Sequence, residues 1–339
     1  MPPRRLWTVL APLPAALLTP LAQLAENRGV QGIFVPQVYG PPFVTLGALA
    51  AVTERVQLAS GIAIAPVRSP FETAMAAIDL DRISNGRFIL GLGTSVHAWT
   101  QGVFGTPKYK PVSHLRETVA AVRHIVKGAH KGLTPFEGEY YRANFRELQP
   151  SQPPVRDEIP IWIAALRAPL VRLAAEVGDG LIGHPMWSVE WALDQMQREF
   201  AAALAAAGRR RDQVEVNLWP WAAPNDNEAE AIEDARPTMA FYGGVKQYEP
   251  FFEAHGFGAV HRHGLGQRRL DGVLDFARRG TDRGREFQRE LRAFRHRVFL
   301  PLGGRRQHDW RVGRLGLVAG LDVGDLLLRN RLRRLAGRH

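Results

Sequence analysis

The sequence contains no cysteine among its 339 residues, and this absence removes several classes of protein. Without thiols the chain forms neither disulfides nor thiolate metal sites, and it has no cysteine nucleophile. A lack of cysteine also fits a cytoplasmic protein. No apolar run reaches the roughly 18 residues that a membrane span requires. We therefore expect a cytoplasmic chain with no membrane contact.

Several familiar motifs are also missing. The histidines do not pair with acidic residues at metal-ligand spacing, so we expect no metal site. There is no Gly-x-Ser-x-Gly elbow and no Walker loop. Gly91-Leu92-Gly93 lacks the third glycine of a dinucleotide-binding fingerprint. Residues 1–22 resemble a secretory signal, but three prolines interrupt the apolar run, and a first strand over residues 6–10 is favoured.

Positive charge is concentrated in the last quarter of the chain. From residue 261 onward there are 20 Arg, no Lys and 8 acidic residues, a balance of +12, whereas the preceding residues sum to −1. We favour out-of-frame translation of a GC-rich gene as the explanation, because strand–helix alternation stops at the same point. A genuine basic extension and a nucleic-acid-binding tail are the alternatives, and nucleic acid is the less favoured partner. We predict two segments, residues 1–258 and 259–339.

The clearest pattern that is present lies in residues 55–99. Residues 56–64 read as a buried strand, and Ser69-Pro70-Phe71-Glu72 is a capping box with proline at the first helical position. Ser84-Asn85-Gly86 predicts that the helix ends there with a residue in the left-handed backbone conformation. Residues 88–92 read as the next strand. Two buried parallel strands joined by a helix are the unit of a (β/α)8 barrel. We predict that residues 56–62 and 88–92 form adjacent parallel strands.

The same alternation continues to about residue 257 and gives seven βα units. This fits an α/β chain folded as a (β/α)8 TIM barrel better than an open sheet. After residue 258 no eighth strand is evident, which makes the arginine-rich segment atypical. The other predicted elements are strands at 30–35, 159–163, 179–183 and 214–219, helices at 19–28 and 45–53, helices starting at Ser113, Ser188 and Glu228, and an inserted hairpin or loop at 136–150.

Ligands of such barrels bind at the carboxyl ends of the strands. Small residues stand at several of these ends, and Trp99, Trp187, Trp219 and Trp221 could wall a flat ring there or pack as ordinary core. Polar side chains that handle protons or hydrogen-bond a ring are the candidate catalytic residues, with a structural role as the open alternative. They are Gln37, His97 and His184.

Three segments in combination resemble the bacterial luciferase-like superfamily, and within it the branch that depends on coenzyme F420. They are residues 55–69 (RVQLASGIAIAPVRS), 79–93 (DLDRISNGRFILGLG) and 160–183 (PIWIAALRAPLVRLAAEVGDGLIG), and the resemblance covers roughly residues 1–258. It implies a homodimeric barrel that transfers hydride between the reduced deazaflavin and a small-molecule substrate. An FMN-dependent monooxygenase is the alternative, and an inactive barrel with a nucleic-acid-binding tail is the second alternative.

The resemblance also implies a set of cofactor-binding residues. In the F420 branch a cis peptide before a non-proline residue ends strand three, and the matching bond is Gly61-Ile62. Gly93, Thr94 and Ser95 would border the ring. The backbone N–H groups after strand five would hold the phosphate end. The matching residues are Ala164, Ala165 and Leu166, with Gly183 at the next strand end.

Two departures from the family pattern limit the expected substrate. Sugar-phosphate dehydrogenases of this branch carry an Asp-His pair after strand two and a glutamate after strand four. This chain has Pro36-Gln37 and Val96 at those places, so a sugar phosphate is not expected. The closing Gly-Thr-Pro turn near strand eight is also absent.

Overall fold

The computed structural model describes residues 5–220, 223, 225, 227–243 and 245–254. Contacts divide the chain into two compact units. One is Met1–Trp187 with Leu193–Trp219, and the other is Ser188–Ala192 with Pro220–His339. The predicted boundary at residue 258, the basic segment 259–339 and Trp221 lie outside the described residues.

The elements alternate between strand and helix along the chain. Their bounds are β1 (Trp7–Val9), α1 (Ala15–Asn27), β2 (Gly32–Val35), α2 (Pro42–Val52), β3 (Gln57–Ser60), β4 (Ala63–Ile64), α3 (Pro70–Ile83), β5 (Phe88–Gly93), α4 (His97–Thr100), α5 (Pro111–Gly128), β6 (Phe136–Glu137), β7 (Arg142–Ala143), β8 (Ile161–Ala165), α6 (Ala168–Val177), β9 (Gly180–Gly183), α7 (Val189–Leu193), α8 (Gln195–Ala206), β10 (Glu215–Asn217), α9 (Glu228–Gly243) and α10 (Glu249–Ala254). Short 3-10 turns cover Ala65–Val67, Arg211–Gln213 and Lys246–Tyr248.

A curled parallel sheet forms the centre of the first unit. Its strand order is β1-β2-β3-β5-β8-β9-β10, and β4 also pairs with β5. Leu58 of β3 pairs with Phe88 of β5 in parallel register, which confirms the predicted neighbouring strands and the α/β class. Within the described residues, β1 and β10 end this path. Arg5 and Glu215 form an ion pair of 3.0 Å between the amino ends of these two strands.

Helix α3 begins and ends where its sequence predicts. The Ser69 hydroxyl oxygen accepts a hydrogen bond from the Glu72 N–H at 3.1 Å, so serine caps the first turn. After Ser84 the chain turns through Asn85 and Gly86, with φ of +53° and +77°. The Gly86 N–H donates to the Asp81 carbonyl at 2.8 Å. This cap directs the chain into β5 at the centre of the sheet.

Four helix predictions are wrong in detail. Helix α1 begins at Ala15 and α2 at Pro42, before the predicted residues 19 and 45. Ser113 does not cap α5, because the helix begins at Pro111 with Lys110 as its N-cap residue; proline suits the first helical position since its missing N–H needs no partner there. The long helix predicted after Ser188 is divided into α7 and α8 by Asp194, whose φ and ψ are −116° and −78°. The inserted hairpin is confirmed as the antiparallel pair β6–β7.

Large apolar side chains fill the inside of the curled sheet. Five neighbouring strands each contribute one buried residue to this cluster, and the rings of Phe34 and Trp162 lie 6.1 Å apart. The partly buried Ile62 and Trp219 pack against it. The interior below the carboxyl ends is therefore closed by side chains. In the part of the chain that the structure describes, no helix is long and apolar enough to cross a membrane.

Candidate functional site

The loop after β2 joins the end of β3 through backbone hydrogen bonds. The Gln37 N–H donates to the Ile62 carbonyl at 3.2 Å, and the Gly61 N–H donates to the Val35 carbonyl at 2.8 Å. The Gly61–Ile62 peptide is cis, as the family resemblance implies. These bonds place Gln37, Gly61 and Ile62 together at the carboxyl end of two adjacent strands.

The carboxyl ends of the strands around Gln37, Gly61 and Ile62 form a rim. Gly93 continues this rim on the other side of β3. A methyl group at Gly93 would overlap the Ile62 Cδ1 atom and would lie 3.4 Å from the Ala164 Cβ atom. Glycine is needed here because the Ile62 side chain occupies the space that a larger residue would fill. Ile62, Gly93 and Ala164 therefore form a continuous surface across three strand ends.

The ends of β8 and β9 complete the rim. Ala165 pairs with Gly183 in parallel register. The Trp187 indole N–H donates to the Leu166 carbonyl at 2.9 Å, and a methyl group at Gly183 would lie 2.8 Å from the same indole. Trp187 therefore packs over both strand ends, and the predicted residues from Gln37 to Gly183 are linked by direct contacts.

His184 follows Gly183 and is held as a neutral imidazole. Its Nδ1 accepts a hydrogen bond from the Met186 N–H at 3.2 Å, which places the proton on Nε2. Desolvation disfavours the charged form and lowers the pKa of His184 to about 3. His184 is thus a neutral imidazole that carries its proton on Nε2, and it is not charged at neutral pH.

We expect the His184 imidazole to stay uncharged throughout the physiological range. In a histidine-selective NMR titration its ring resonances should not shift between pH 8 and pH 5. Because the folded pKa of about 3 lies below the ordinary 6.5, the unfolded chain binds the extra proton first, and this group lowers stability as the pH falls from 6.5 towards 3. A midpoint near 6.5 for His184 in the folded protein would contradict the assignment.

The loop after β5 carries the remaining predicted residues. The Tyr109 hydroxyl donates to the Thr94 carbonyl at 3.1 Å, and Ser95 adopts a positive φ of +55°. His97 is exposed, and its Nδ1 lies 3.2 Å from the Gln101 amide nitrogen while its ring centre lies 5.0 Å from that of Tyr109. The contacts of His97 are thus with its own loop, whereas Thr94 continues directly from Gly93.

Two aromatic contacts border the strand ends. The Trp219 ring lies 4.7 Å from that of Phe34, and a methyl group at Gly61 would lie 2.8 Å from both. The Trp219 Nε1 is buried, and among the described residues it has no hydrogen-bond acceptor. The Tyr39 and Trp99 rings meet at 5.9 Å, and they come from the loops on either side of β3.

Arg68 is a rim residue that the sequence analysis did not single out. The Arg68 Nη2 donates to the Gln37 Oε1 at 3.0 Å, and the Ile64 N–H donates to the same oxygen at 2.9 Å. The sequence offers one signal for it, since Arg68 follows the strand end and immediately precedes the Ser69 cap. Arg68 therefore adds a cation beside Gln37 and Ile62.

A cleft at the opposite end of the sheet has a different character. The Glu26 carboxylate there accepts hydrogen bonds from the N–H groups of residues 54–56, which secures the entry to β3. The amino ends of barrel strands usually serve stability. The cleft measures about 390 Å³ and is lined by Arg5, Glu26, Gly29, Val30, Gln31, Arg55, Val56 and Gln57. No group of three potential metal ligands occurs among the described residues.

Known proteins with this sequence pattern and fold include both F420 and FMN enzymes. A Mycobacterium tuberculosis protein provisionally named a coenzyme F420-dependent oxidoreductase is 32% identical over 69% of this chain and 70% of its own. An F420-dependent secondary alcohol dehydrogenase, solved with an F420–acetone adduct, has a TM-score of 0.65 at 17% identity, with 80% of this chain and 83% of that chain covered.

An FMN-bound structure shows the same fold. The oxygenating constituent of 3,6-diketocamphane monooxygenase from Pseudomonas putida has a TM-score of 0.58 at 19% identity, covering 86% of this chain and 89% of that chain. The family model described as luciferase-like monooxygenase matches residues 5–291, which extends beyond the expected limit at residue 258. The chain therefore belongs to the luciferase-like monooxygenase family, whose members are oxidoreductases and monooxygenases.

Proposed function

We propose that this protein is a coenzyme F420-dependent oxidoreductase that acts on a small organic substrate. The buried Trp219 Nε1 carries the proposal, because it is a donor at the carboxyl ends of the strands that has no acceptor in the described part of the chain. A sequence relative named for F420 shares 32% identity with this chain, whereas the solved F420 and FMN structures, at 17% and 19% identity, do not distinguish the two cofactors. F420 is therefore favoured over FMN, which is the alternative cofactor.

The residues at the rim fit a flat, hydrogen-bonding ring system. Ile62 and Trp219 offer apolar surface, and the Trp219 Nε1–H is a donor that has no acceptor among the described residues. A deazaflavin or flavin ring has apolar faces and carbonyl acceptors along its edge, so it can use both features. The cofactor supplies the hydride chemistry when it is bound. The protein positions the ring, satisfies its polar edge and excludes water.

We assign the other strand ends to the same cofactor. Gly61, Ile62, Gly93, Thr94 and Ser95 would border the ring in this proposal. Ala164 and Ala165 are the last residues of β8 and not the start of a helix, since α6 begins at Ala168. From the family resemblance, these residues and Leu166 would hold the phosphate end. His97 is proposed to handle a proton, and Gln37 to hydrogen-bond the ring when no acid occupies its place.

Cofactor titration tests this function. We expect reduced F420 to quench the tryptophan fluorescence of the purified protein and reduced FMN to bind more weakly. Trp219→Phe should weaken F420 binding about 3- to 10-fold, the size of one neutral hydrogen bond. Trp7→Phe serves as the control, because Trp7 packs on Phe34 and Trp162 from β1. It should leave the F420 affinity unchanged.

The titration also decides between the alternatives. Tighter binding of reduced FMN, followed by oxygen consumption with a substrate, would replace the proposal with an FMN-dependent monooxygenase. If neither cofactor binds, both the F420-dependent and the FMN-dependent functions are rejected. DNA affinity that falls steeply with salt would instead favour the basic nucleic-acid-binding tail.

We further propose, from the family resemblance, that the protein works as a cytoplasmic homodimer. Light scattering on the purified protein measures the dimer directly. The proposed division at residue 258 is checked in the gene: a shifted frame that restores an alanine-rich, acidic segment with a Gly-Thr-Pro turn would support out-of-frame translation of residues 259–339.

A further inference from the structure

Arg68 is an incompletely satisfied cation at the carboxyl ends of β2 and β4. Its Nη2 donates to the neutral Gln37 amide oxygen, and its carbon Cζ lies 5.2 Å from the centre of the Phe43 ring. Its Nη1 is closed to solvent and has no hydrogen-bond acceptor among the described residues. A buried donor left without an acceptor costs free energy. The rim therefore holds a guanidinium whose bonding capacity is partly unused.

The other partly buried arginines of the barrel are bonded differently. Arg156 pairs with the Asp81 carboxylate and donates to the Phe88 carbonyl. Arg209 donates to the carbonyls of residues 175 and 178, each at 2.8 Å. Arg87 has the largest set of acceptors, which are Ser84, Thr53, Val56 and Ala50. These arginines have structural partners, and Arg68 differs from all of them.

The charge of Arg68 is also compensated only in part by the described residues. Desolvation lowers the pKa of Arg68 below its ordinary value, and the nearby Glu72 only partly opposes this effect. No ion pair of the described residues includes Arg68. A guanidinium without a carboxylate partner is suited to receive an acidic group from a ligand.

We propose that Arg68 binds an acidic group of the substrate, either a carboxylate or a phosphate ester. The site borders the proposed cofactor position, because Gln37 contacts both Arg68 and the Ile62 carbonyl. The term substrate rests on the proposed function, but the binding of an acid at Arg68 is testable without any cofactor.

In this structure the Gln37 side chain takes the position on the Arg68 guanidinium that the acidic group of the substrate would take. Its neutral amide oxygen accepts from the Ile64 N–H and from one terminal nitrogen of Arg68, Nη2. An ionised carboxylate or phosphate can bond both terminal nitrogens and forms stronger hydrogen bonds. Because Nη1 is closed to solvent, a neighbouring side chain has to move before an acid can reach it, and in this proposal that side chain is Gln37, which already bonds Nη2. Gln37→Glu would place a permanent carboxylate at this position and block the site.

Calorimetric titration of the full-length protein without cofactor tests the site. The probes are benzoate, phenyl phosphate and the uncharged benzamide. We expect one of the two acids to bind and benzamide not to bind, and the preferred acid identifies the group. Arg68→Gln should weaken that binding about 10- to 100-fold, the range of a charge-assisted pair. Gln37→Glu should weaken it as strongly while leaving Arg68 in place.

Arg55→Gln is the matched control, because Arg55 lies before the amino end of β3 and is exposed. It should bind the acid as the unchanged protein does. Thermal unfolding provides a second measurement: Arg68→Gln should not lower the melting temperature, since it removes an uncompensated cation. Equal binding of benzoate and benzamide, or full binding by Arg68→Gln, would overturn the proposal. The F420 titration is a separate experiment. Failure of acid binding at Arg68 would therefore not reject the proposed cofactor, and failure of F420 binding would not reject the acid site.

Discussion

Replacing Arg156 by glutamine should lower the free energy of unfolding by about 3–5 kcal/mol, the cost of leaving a buried charge without its partner. The Asp81 side chain is 0% exposed, and both of its oxygens bond the Arg156 guanidinium. Arg156 also donates to the Phe88 carbonyl at 2.6 Å. The substitution therefore leaves a carboxylate and the first carbonyl of β5 without this donor.

Urea denaturation measures this effect, with Arg116→Gln as the control. Arg116 pairs with Glu176 on the surface, where the two side chains are 47% and 33% exposed. Exposed pairs contribute about 1 kcal/mol or less, so the control should unfold almost as the unchanged protein does. Combining Arg156→Gln with Asp81→Asn should recover part of the loss. Similar midpoints for both single variants would show that the Asp81 charge is compensated by other means.

Local signals predicted the elements at the centre of the sheet well. The Ser69 cap and the turn at Asn85 and Gly86 act within a few residues, so their sequence pattern already contains the physical cause. The parallel pairing of β3 with β5 follows from two buried strands joined by one helix. The family match and the shared fold support the class of barrel that these signals predict.

The contacts at the rim could not be predicted in the same way. Gln37 and Arg68 are 31 residues apart, and a neutral amide facing an arginine has no sequence pattern. The Trp219 indole nitrogen has no acceptor among the described residues because of how the chain after β10 packs beside Phe34. His97 follows the right strand, but the short helix α4 turns it toward Tyr109. Such features arise from packing between distant segments.

A further large loss of stability is expected when Gly91 is replaced, because the backbones of β3 and β5 approach each other closely there. A methyl group at this position would overlap the Ser60 carbonyl oxygen, a backbone atom that cannot move without shifting β3. The Ser60 hydroxyl also accepts from the Gly91 N–H at 2.9 Å and donates to the Gly91 carbonyl at 2.8 Å. We therefore expect Gly91→Ala to destabilise the fold by about 3 kcal/mol, at the upper end for overpacking.

Gly47→Ala provides the opposite control for the same chemical change. Gly47 lies within α2, and an added methyl group would meet only the Leu80 Cδ2 atom at 3.9 Å. Because alanine is the better helix former, this variant should gain about 0.5–1 kcal/mol in urea denaturation. Since β3 leads directly into Gly61 and Ile62, any Gly91→Ala protein that folds should also bind F420 more weakly. Equal stability of the two variants would contradict the close contact between β3 and β5.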